Sequence, residues 1–102
     1  MTMNVLFLTC KDSKEAEKIS KILLEKKLIL CAKMTPVSSS FLWKSKIESS
    51  KEMLVIMDSV VENFEKINIE IRKLHSYKTF VLTSILVNQT THEVEDWVKK
   101  EL

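Results

Sequence analysis

Four polar residues in two separate stretches of the sequence could together form a binding pocket. Lys46 and Glu48 lie in a short polar segment between two apolar stretches, and His75 and Tyr77 follow a segment with helical periodicity. As a set they offer a cation, an anion, an imidazole and a phenol. We predict that assembly brings the Lys46–Glu48 turn of one subunit toward the His75–Tyr77 loop of another. The alternatives are a solvated turn and a histidine that caps a helix.

His75 is also the candidate metal ligand. A structural zinc site uses four N or S ligands, but the sequence has only two histidines and two cysteines, and the cysteines show no metal-binding spacing. Local spacing places neither Cys10 nor Cys31 beside His75. Because imidazole suits copper, which heads the divalent stability order, we expect weak Cu²⁺ binding at His75 and weaker Zn²⁺ binding.

The complete absence of glycine excludes two nucleotide-binding motifs. Both the dinucleotide fingerprint and the phosphate-binding P-loop need glycine at fixed positions. An acylphosphatase would need an arginine beside a phosphate-binding loop after the first strand, and segment 9–12 has neither that arginine nor a glycine. An RNA-recognition domain would show stacking aromatic residues on a central strand, and segment 53–57 has none. We therefore expect a protein that is not an enzyme and binds no nucleic acid.

The charge pattern and the apolar runs indicate neither a membrane span nor a signal peptide. The net charge is +2, from 16 basic and 14 acidic residues that form no blocks. No apolar run approaches the roughly 18 residues of a membrane span, and residues 1–9 lack the charged start and cleavage site of a signal peptide. We therefore predict a single domain over residues 1–102, cytoplasmic, without membrane association and with both thiols reduced.

Apolar periodicity predicts four strands and three helices. Asp12, Ser59 and Thr90 are each followed three residues later by a glutamate, and this capping-box pattern predicts three helix starts. The predicted strands are 4–9, two arms within 28–58, and 80–87, and the first two helices are predicted to end near Lys27 and His75. Segment 80–87 is apolar at both alternating positions, which indicates a strand inside the sheet.

The segment 28–58 is typical of two long strands joined by the tight turn Lys44–Ser45–Lys46. The second arm would span about 40 Å, whereas a compact chain of this size is only about 34 Å wide. The hairpin must therefore bend or protrude. A protruding hairpin that carries Phe41 and Trp43 needs a partner surface, so we interpret it as an assembly device with these two residues in the interface.

The order of elements predicts the fold. Two βαβ units joined by a hairpin give an α+β, ferredoxin-like βαββαβ antiparallel sheet, here with a long central hairpin and an extra C-terminal helix. In this topology the first and third strands are central, and the second and fourth strands lie at the edges. The long second strand is therefore expected to present a free edge.

Several motifs resemble those of the CutA divalent-cation-tolerance family, and they extend over almost the whole chain. They are Leu30-Cys31-Ala32, the turn Trp43 to Glu48 with Lys51-Glu52 after it, the segment Leu74 to Tyr77, and Trp97. The resemblance implies a ferredoxin-like subunit in a compact homotrimer, in which the long hairpins of three subunits join the sheets.

The chain departs from the family pattern at several positions. Ser45 replaces a turn glycine, and Ser76 and Phe80 replace the two prolines of an H-P-Y-x-x-P segment. The metal ligands proposed for the family are a first-strand cysteine, a histidine after the second helix and a glutamate after the second proline. At the matching positions this chain has Leu8, His75 and Val81, with Cys10 two residues beyond the first match. Only His75 is then left as a ligand.

Two functions are carried forward, and the resemblance supports the first of them. The first is a non-enzymatic trimeric protein of assembly or binding, linked to divalent-cation tolerance and copper in particular. The alternative is a small-ligand sensor like the PII signalling proteins, which share the trimeric ferredoxin-like plan and need no metal. In either case the expected partners are other copies of the chain, with a metal ion or a small molecule as the ligand.

Overall fold

The computed structural model describes all 102 residues and contains one antiparallel sheet with three helices. Its strands are β1 (Met3–Cys10), β2 (Cys31–Trp43), β3 (Lys46–Val60) and β4 (Leu82–Leu86), arranged in the order β2-β3-β1-β4. The helices are α1 (Ser13–Glu25), α2 (Phe64–Leu74) and α3 (His92–Glu101). This is the predicted ferredoxin-like arrangement, with β1 and β3 central.

The two faces of the sheet follow from the alternation along the central strands. Leu6, Leu8 and Cys10 on β1 are fully buried in one cluster with Val55 and Met57 of β3 and apolar residues of α1 and α2. The residues between them, such as Val5 and Phe7, point to the other face and are only partly buried. One face of the sheet therefore carries the main core, and the other is largely free of helices.

Helix α3 covers one end of this second face. Val98 of α3 is fully buried and packs with Met3, Leu30 and Val60 in a separate small core. Met3 and Val60 are register partners on neighbouring strands, out of phase with Leu6 and Met57. No helix in the structure is long and apolar enough to cross a membrane.

The β2–β3 hairpin extends well beyond the rest of the sheet. Pairing with β1 ends at Cys10, which lies opposite Met53, whereas β2 and β3 stay paired to Trp43 and Lys46. The molecule measures 45 × 25 × 22 Å as a result. The prediction of a protruding hairpin is confirmed, and its outer half is a two-stranded ribbon.

The hairpin turn is strained because it has no glycine. Lys44 and Ser45 both have positive φ, 50° and 65°. Such a two-residue turn matches the twist of the flanking strands but favours asparagine and glycine, because a Cβ is crowded there. The left-handed conformation is therefore kept by residues that do not prefer it.

Only one of the three predicted capping boxes is confirmed. Asp12 caps α1 by accepting a hydrogen bond from the Glu15 amide at 2.9 Å. Ser59 instead remains in β3, and its hydroxyl donates to the Leu28 carbonyl at 2.6 Å, so α2 begins later, at Phe64 after a short 3-10 turn. Thr91 precedes α3 without a side-chain cap. The Ser59 prediction was wrong because a tertiary contact outweighed the local pattern, and the Thr90 prediction was wrong because the helix begins one residue later without a side-chain cap.

The fourth strand is shorter than predicted and is not inside the sheet. β4 covers only Leu82–Leu86 and pairs with β1 alone, so it lies at an edge. Ile85 and Leu86 are more than half exposed. Continuous apolar sequence indicated burial on both faces, but Ile85 and Leu86 point to opposite faces of the sheet and both remain exposed at its edge.

Candidate functional site

The loop after α2 folds over the end of β1 and brings His75 into the interior. The His75 amide ends α2 by donating to the Ile71 carbonyl at 2.8 Å, and the backbone then turns extended. The His75 side chain is fully buried. Its Nε2 lies 2.8 Å from the Thr9 carbonyl, and the Tyr77 amide donates to its Nδ1 at 3.0 Å. Because a carbonyl only accepts and an amide N–H only donates, the proton is on Nε2.

Glu15 closes the other side of this loop. Its carboxylate accepts from the Lys11 amide at 3.0 Å and from the Ser76 amide at 2.8 Å, so it joins the start of α1 to the loop after α2. Burial alone would raise the pKa of Glu15, but the hydrogen bonds from Lys11 and Ser76 and the proximity of His75 lower it below its usual value. Glu15 is thus an ionised acceptor held by backbone amides.

Cys10 completes a cluster with these two side chains. One ligand atom each from Cys10, Glu15 and His75 lies within 4.8 Å of the others. Local spacing did not place Cys10 beside His75, but the fold does, because the end of β1 and the end of α2 meet. Burial, together with the charges of Glu15, Asp12 and Glu52, raises the pKa of the Cys10 thiol to about 12. The thiol is therefore protonated at neutral pH.

Aromatic and cationic groups pack along the outer side of His75. Phe80 stacks on the imidazole with ring centroids 5.0 Å apart, and the Arg72 guanidinium lies 4.6 Å from the centroid of Phe80. Tyr77 packs against the imidazole at 4.9 Å. Phe80 and Tyr77 therefore both pack against the imidazole, and Arg72 extends the stack beyond Phe80.

Tyr77 links this loop to the base of the hairpin. Its hydroxyl donates to Glu52 Oε2 at 2.7 Å, and Glu52 lies on β3 where the ribbon leaves the sheet. Burial, followed by the hydrogen bond to Glu52, raises the pKa of Tyr77 to about 12, so the phenol keeps the proton that it donates. This hydrogen bond therefore ties the loop after α2 to the base of the hairpin.

The Cys10–Glu15–His75 cluster does not fit a preformed metal site, although its N, S and O atoms are suitable in kind. Both ring nitrogens of His75 already have hydrogen-bond partners, and both carboxylate oxygens of Glu15 accept from backbone amides. The thiol is protonated and fully buried. A metal ligand needs a free lone pair, so binding at His75 would require one of these hydrogen bonds to break.

The four predicted pocket residues are not together within one chain. Tyr77 is bonded to Glu52, and Glu48 lies roughly 13 Å further along β3, with Lys46 further still. Lys46 and Glu48 are exposed near the turn, whereas the His75 ring faces inward. The predicted interface residues Phe41 and Trp43 are also at the outer end of the ribbon, and both are exposed.

Glu15 is the site residue that sequence reasoning missed as a partner of His75. The sequence pattern that could have indicated Glu15 is the capping box that begins at Asp12. In this pattern the Glu15 carboxylate folds back over the start of the helix. That pattern predicts a local role only. The contact with Ser76 joins residues that are distant in sequence, and no spacing rule predicts it.

Comparison with known proteins shows one family over almost the whole chain. The sequence model described as "CutA1 divalent ion tolerance protein" matches residues 4–101. The "Divalent-cation tolerance protein CutA" of Archaeoglobus fulgidus is 36% identical over 95 residues, covering 93% of each chain. The relative from Thermococcus kodakarensis is 29% identical over 98 residues, covering 96% of this chain and 94% of its own.

Solved structures show the same fold. The structure of the "Periplasmic divalent cation tolerance protein CutA" from Archaeoglobus fulgidus has a TM-score of 0.95 at 34% identity and covers 97% of both chains. The structure of CutA1 from Pyrococcus horikoshii has a TM-score of 0.91 at 28% identity and covers 96% of both chains. The description of the first of these as periplasmic contradicts the cytoplasmic location that we predicted from the sequence, and we withdraw that prediction.

Proposed function

The chain belongs to the CutA1 family of divalent ion tolerance proteins, and from this membership and its exposed apolar hairpin we propose that it is a non-enzymatic homotrimer linked to divalent-cation tolerance, copper included. The proposal includes the trimeric state, the link to copper and the absence of catalysis. The observation that carries it is the outer end of the hairpin, which one chain leaves uncovered.

The hairpin tip is an apolar surface without a partner. Phe41, Leu42, Trp43 and Ile47 are all exposed, and Leu42 and Ile47 are among the most exposed large apolar side chains of the protein. A two-stranded ribbon is only marginally stable by itself in water, and clustered exposed apolar groups mark interaction surfaces. The partner that fits is another copy of the chain.

Sheet edges support the same assembly. The outer edge of β2 is 13 residues long and has no neighbouring strand, and β4 is an edge strand with exposed Ile85 and Leu86. Long unprotected edges favour strand addition, which the fold of one chain does not prevent here. An edge-to-edge contact between copies would satisfy backbone groups and cover apolar side chains at once.

The predicted pocket of Lys46, Glu48, His75 and Tyr77 is now proposed to form only between two subunits, without the buried ring of His75 in its lining. Because the ribbon carries Lys46 and Glu48 away from its own body, they can meet the loop after α2 only on another subunit. The exposed parts of that loop are Ser76 and Lys78 rather than the buried ring of His75. A small polar ligand or metal ion in such a pocket would contact the loop backbone and Tyr77.

Native mass spectrometry of protein purified without chelator tests the proposal in one experiment. The expected result is a trimer, and any metal or small ligand that the protein retains appears as added mass. A monomer at micromolar concentration would contradict the assembly. A trimer that carries a small organic ligand and no metal would favour a sensor of the PII type instead.

A further inference from the structure

The second cysteine of the chain lies in an ionic cluster with an aspartate and a lysine. Cys31 begins β2 and is the register partner of Asp58 on β3. Its Sγ donates to Asp58 Oδ2 at 2.8 Å, and the Lys33 ammonium lies 3.3 Å from the same oxygen and 3.6 Å from Sγ. Three chemically distinct groups therefore meet at one oxygen atom.

Within a single chain, this cluster is more accessible than the one around Cys10. Asp58 is opposite Val5 on β1, so it shares the face of the sheet that the main core does not cover. Cys31 is partly exposed, whereas Cys10 is fully buried. The Lys33 side chain is 69% exposed and can move into solvent without disturbing the fold. Of the two thiols in a single chain, that of Cys31 is therefore the more accessible to a cation.

We propose that Cys31 Sγ and the Asp58 carboxylate bind a thiophilic divalent cation, of the class of Zn²⁺ and Cd²⁺, and that Lys33 occupies the cation position in the free protein. Thiolate and carboxylate are both ligands that zinc accepts. Water completes the coordination, so the affinity is modest.

Charge balance supports the exchange. In the free protein a neutral thiol, a carboxylate and an ammonium sum to zero. When a divalent cation binds, the thiol loses its proton to solvent and the ammonium of Lys33 moves away. Thiolate, carboxylate and the doubly charged cation again sum to zero, so the partly buried group keeps its net charge.

The geometry needs only a small adjustment. A tetrahedral zinc with ordinary bond lengths to sulfur and oxygen places these two atoms roughly 3.6 Å apart. They are 2.8 Å apart with the proton between them. Rotation of the Asp58 side chain provides the difference, and Oδ1, which accepts no hydrogen bond from the chain, is available as the alternative ligand atom.

A titration of the whole protein with Cd²⁺, followed by the thiolate-to-cadmium absorption band in the ultraviolet, tests this site. We expect Cys31→Ser to remove the band and Asp58→Asn to weaken binding by about tenfold or more. Lys33→Met should strengthen binding by roughly threefold, because the competing ammonium is gone, whereas Lys51→Met on the same hairpin should change little. Cadmium binding that survives Cys31→Ser and is lost in Cys10→Ala would overturn the proposal.

Thiol protection in the unmutated protein covers the case in which a variant fails to fold. Alkylation mapped by peptide mass spectrometry should label Cys31 in the free protein, and stoichiometric Cd²⁺ should slow that labelling by about tenfold or more. Unchanged labelling of Cys31 would contradict the site. The inference rests on the proposed link to divalent cations and not on the trimer, so light scattering of the same samples separates the two failures: a trimer without protection refutes only this site, and a monomer with protection refutes only the assembly.

Discussion

The two ends of the long hairpin are built in opposite ways. At its base, Glu52 is bonded to Tyr77, and the loop that carries Tyr77 is fixed by a buried histidine and a buried carboxylate. At its tip, the large side chains are exposed and the turn holds two residues at positive φ. The difference teaches that contacts within one chain hold the base of the hairpin, whereas no contact within the chain covers the large side chains at its tip.

The largest effect should come from removing the imidazole at the base. His75→Ala leaves a cavity and orphans the Tyr77 amide and the Thr9 carbonyl, so unfolding should be easier by about 3 kcal/mol. Denaturant titration measures this. His92→Ala, at the exposed histidine that starts α3, is the matched control and should stay within about 0.5 kcal/mol. If both substitutions lowered the free energy of unfolding equally, the buried His75 would not be what stabilises the base of the hairpin.

The corresponding change at the tip should weaken assembly rather than the fold. Trp43→Ala should lower the free energy of trimer dissociation by about 2 kcal/mol or more, so that the trimer dissociates more easily. The reason is that large aromatic residues dominate the energetics of buried interfaces. The α3 residue Trp97 is 44% exposed and Trp43 49%, so Trp97→Ala is a truncation of the same size at similar exposure. Analytical ultracentrifugation over a dilution series compares them. If Trp43→Ala leaves the dissociation constant unchanged, Trp43 is not in the interface.

The base should also respond to acid through Glu15. Its pKa is lower in the folded protein than its ordinary value of 4.5, so its contribution to stability is complete above about pH 4.5 and is lost as the pH falls through the lowered folded pKa. Glu15→Gln should cost about 1.5 kcal/mol at pH 7 and progressively less below pH 4.5. Urea unfolding at several pH values measures this, with the exposed Glu17→Gln as control. A difference that is constant with pH would show that the charge of Glu15 is not responsible.

The smallest effect should be a gain at the turn. Ser45→Gly removes a Cβ from a residue with φ of 65° and should stabilise the protein by about 1 kcal/mol, as should Lys44→Gly at 50°. Lys46→Gly, at the first residue of β3, should destabilise it slightly because glycine loses more entropy in a strand. Thermal unfolding ranks the three variants. A lower melting temperature for Ser45→Gly would mean that the turn adopts negative φ in solution.

The sequence was sufficient for the fold because alternation and helical periodicity are local signals. The order of elements, the central positions of β1 and β3 and the reach of the hairpin all followed from them. The failures occurred where distant contacts decide. The capping pattern at Ser59 predicted a helix start, but its hydroxyl bonds the distant Leu28 carbonyl instead. The apolar pattern of β4 predicted burial on both faces, whereas its end is exposed at the sheet edge that the topology had assigned to it.

The candidate site was less accessible to sequence reasoning for the same reason. His75 and Tyr77 were correctly singled out as residues of one loop, but their partners Thr9, Glu15 and Glu52 lie on three other segments. No spacing rule joins these segments. The same is true of Cys31 and Asp58, which are neighbours only because the hairpin register pairs them.

The central claim, that the hairpin tip is completed by other copies of the chain, is tested most directly by the mass of the protein in solution. Light scattering on a sizing column, at protein concentrations from tens of micromolar down to below one micromolar, should give three times the chain mass of 11.9 kDa until the trimer dissociates. A mass of 11.9 kDa throughout this range, with the protein folded, would contradict the claim.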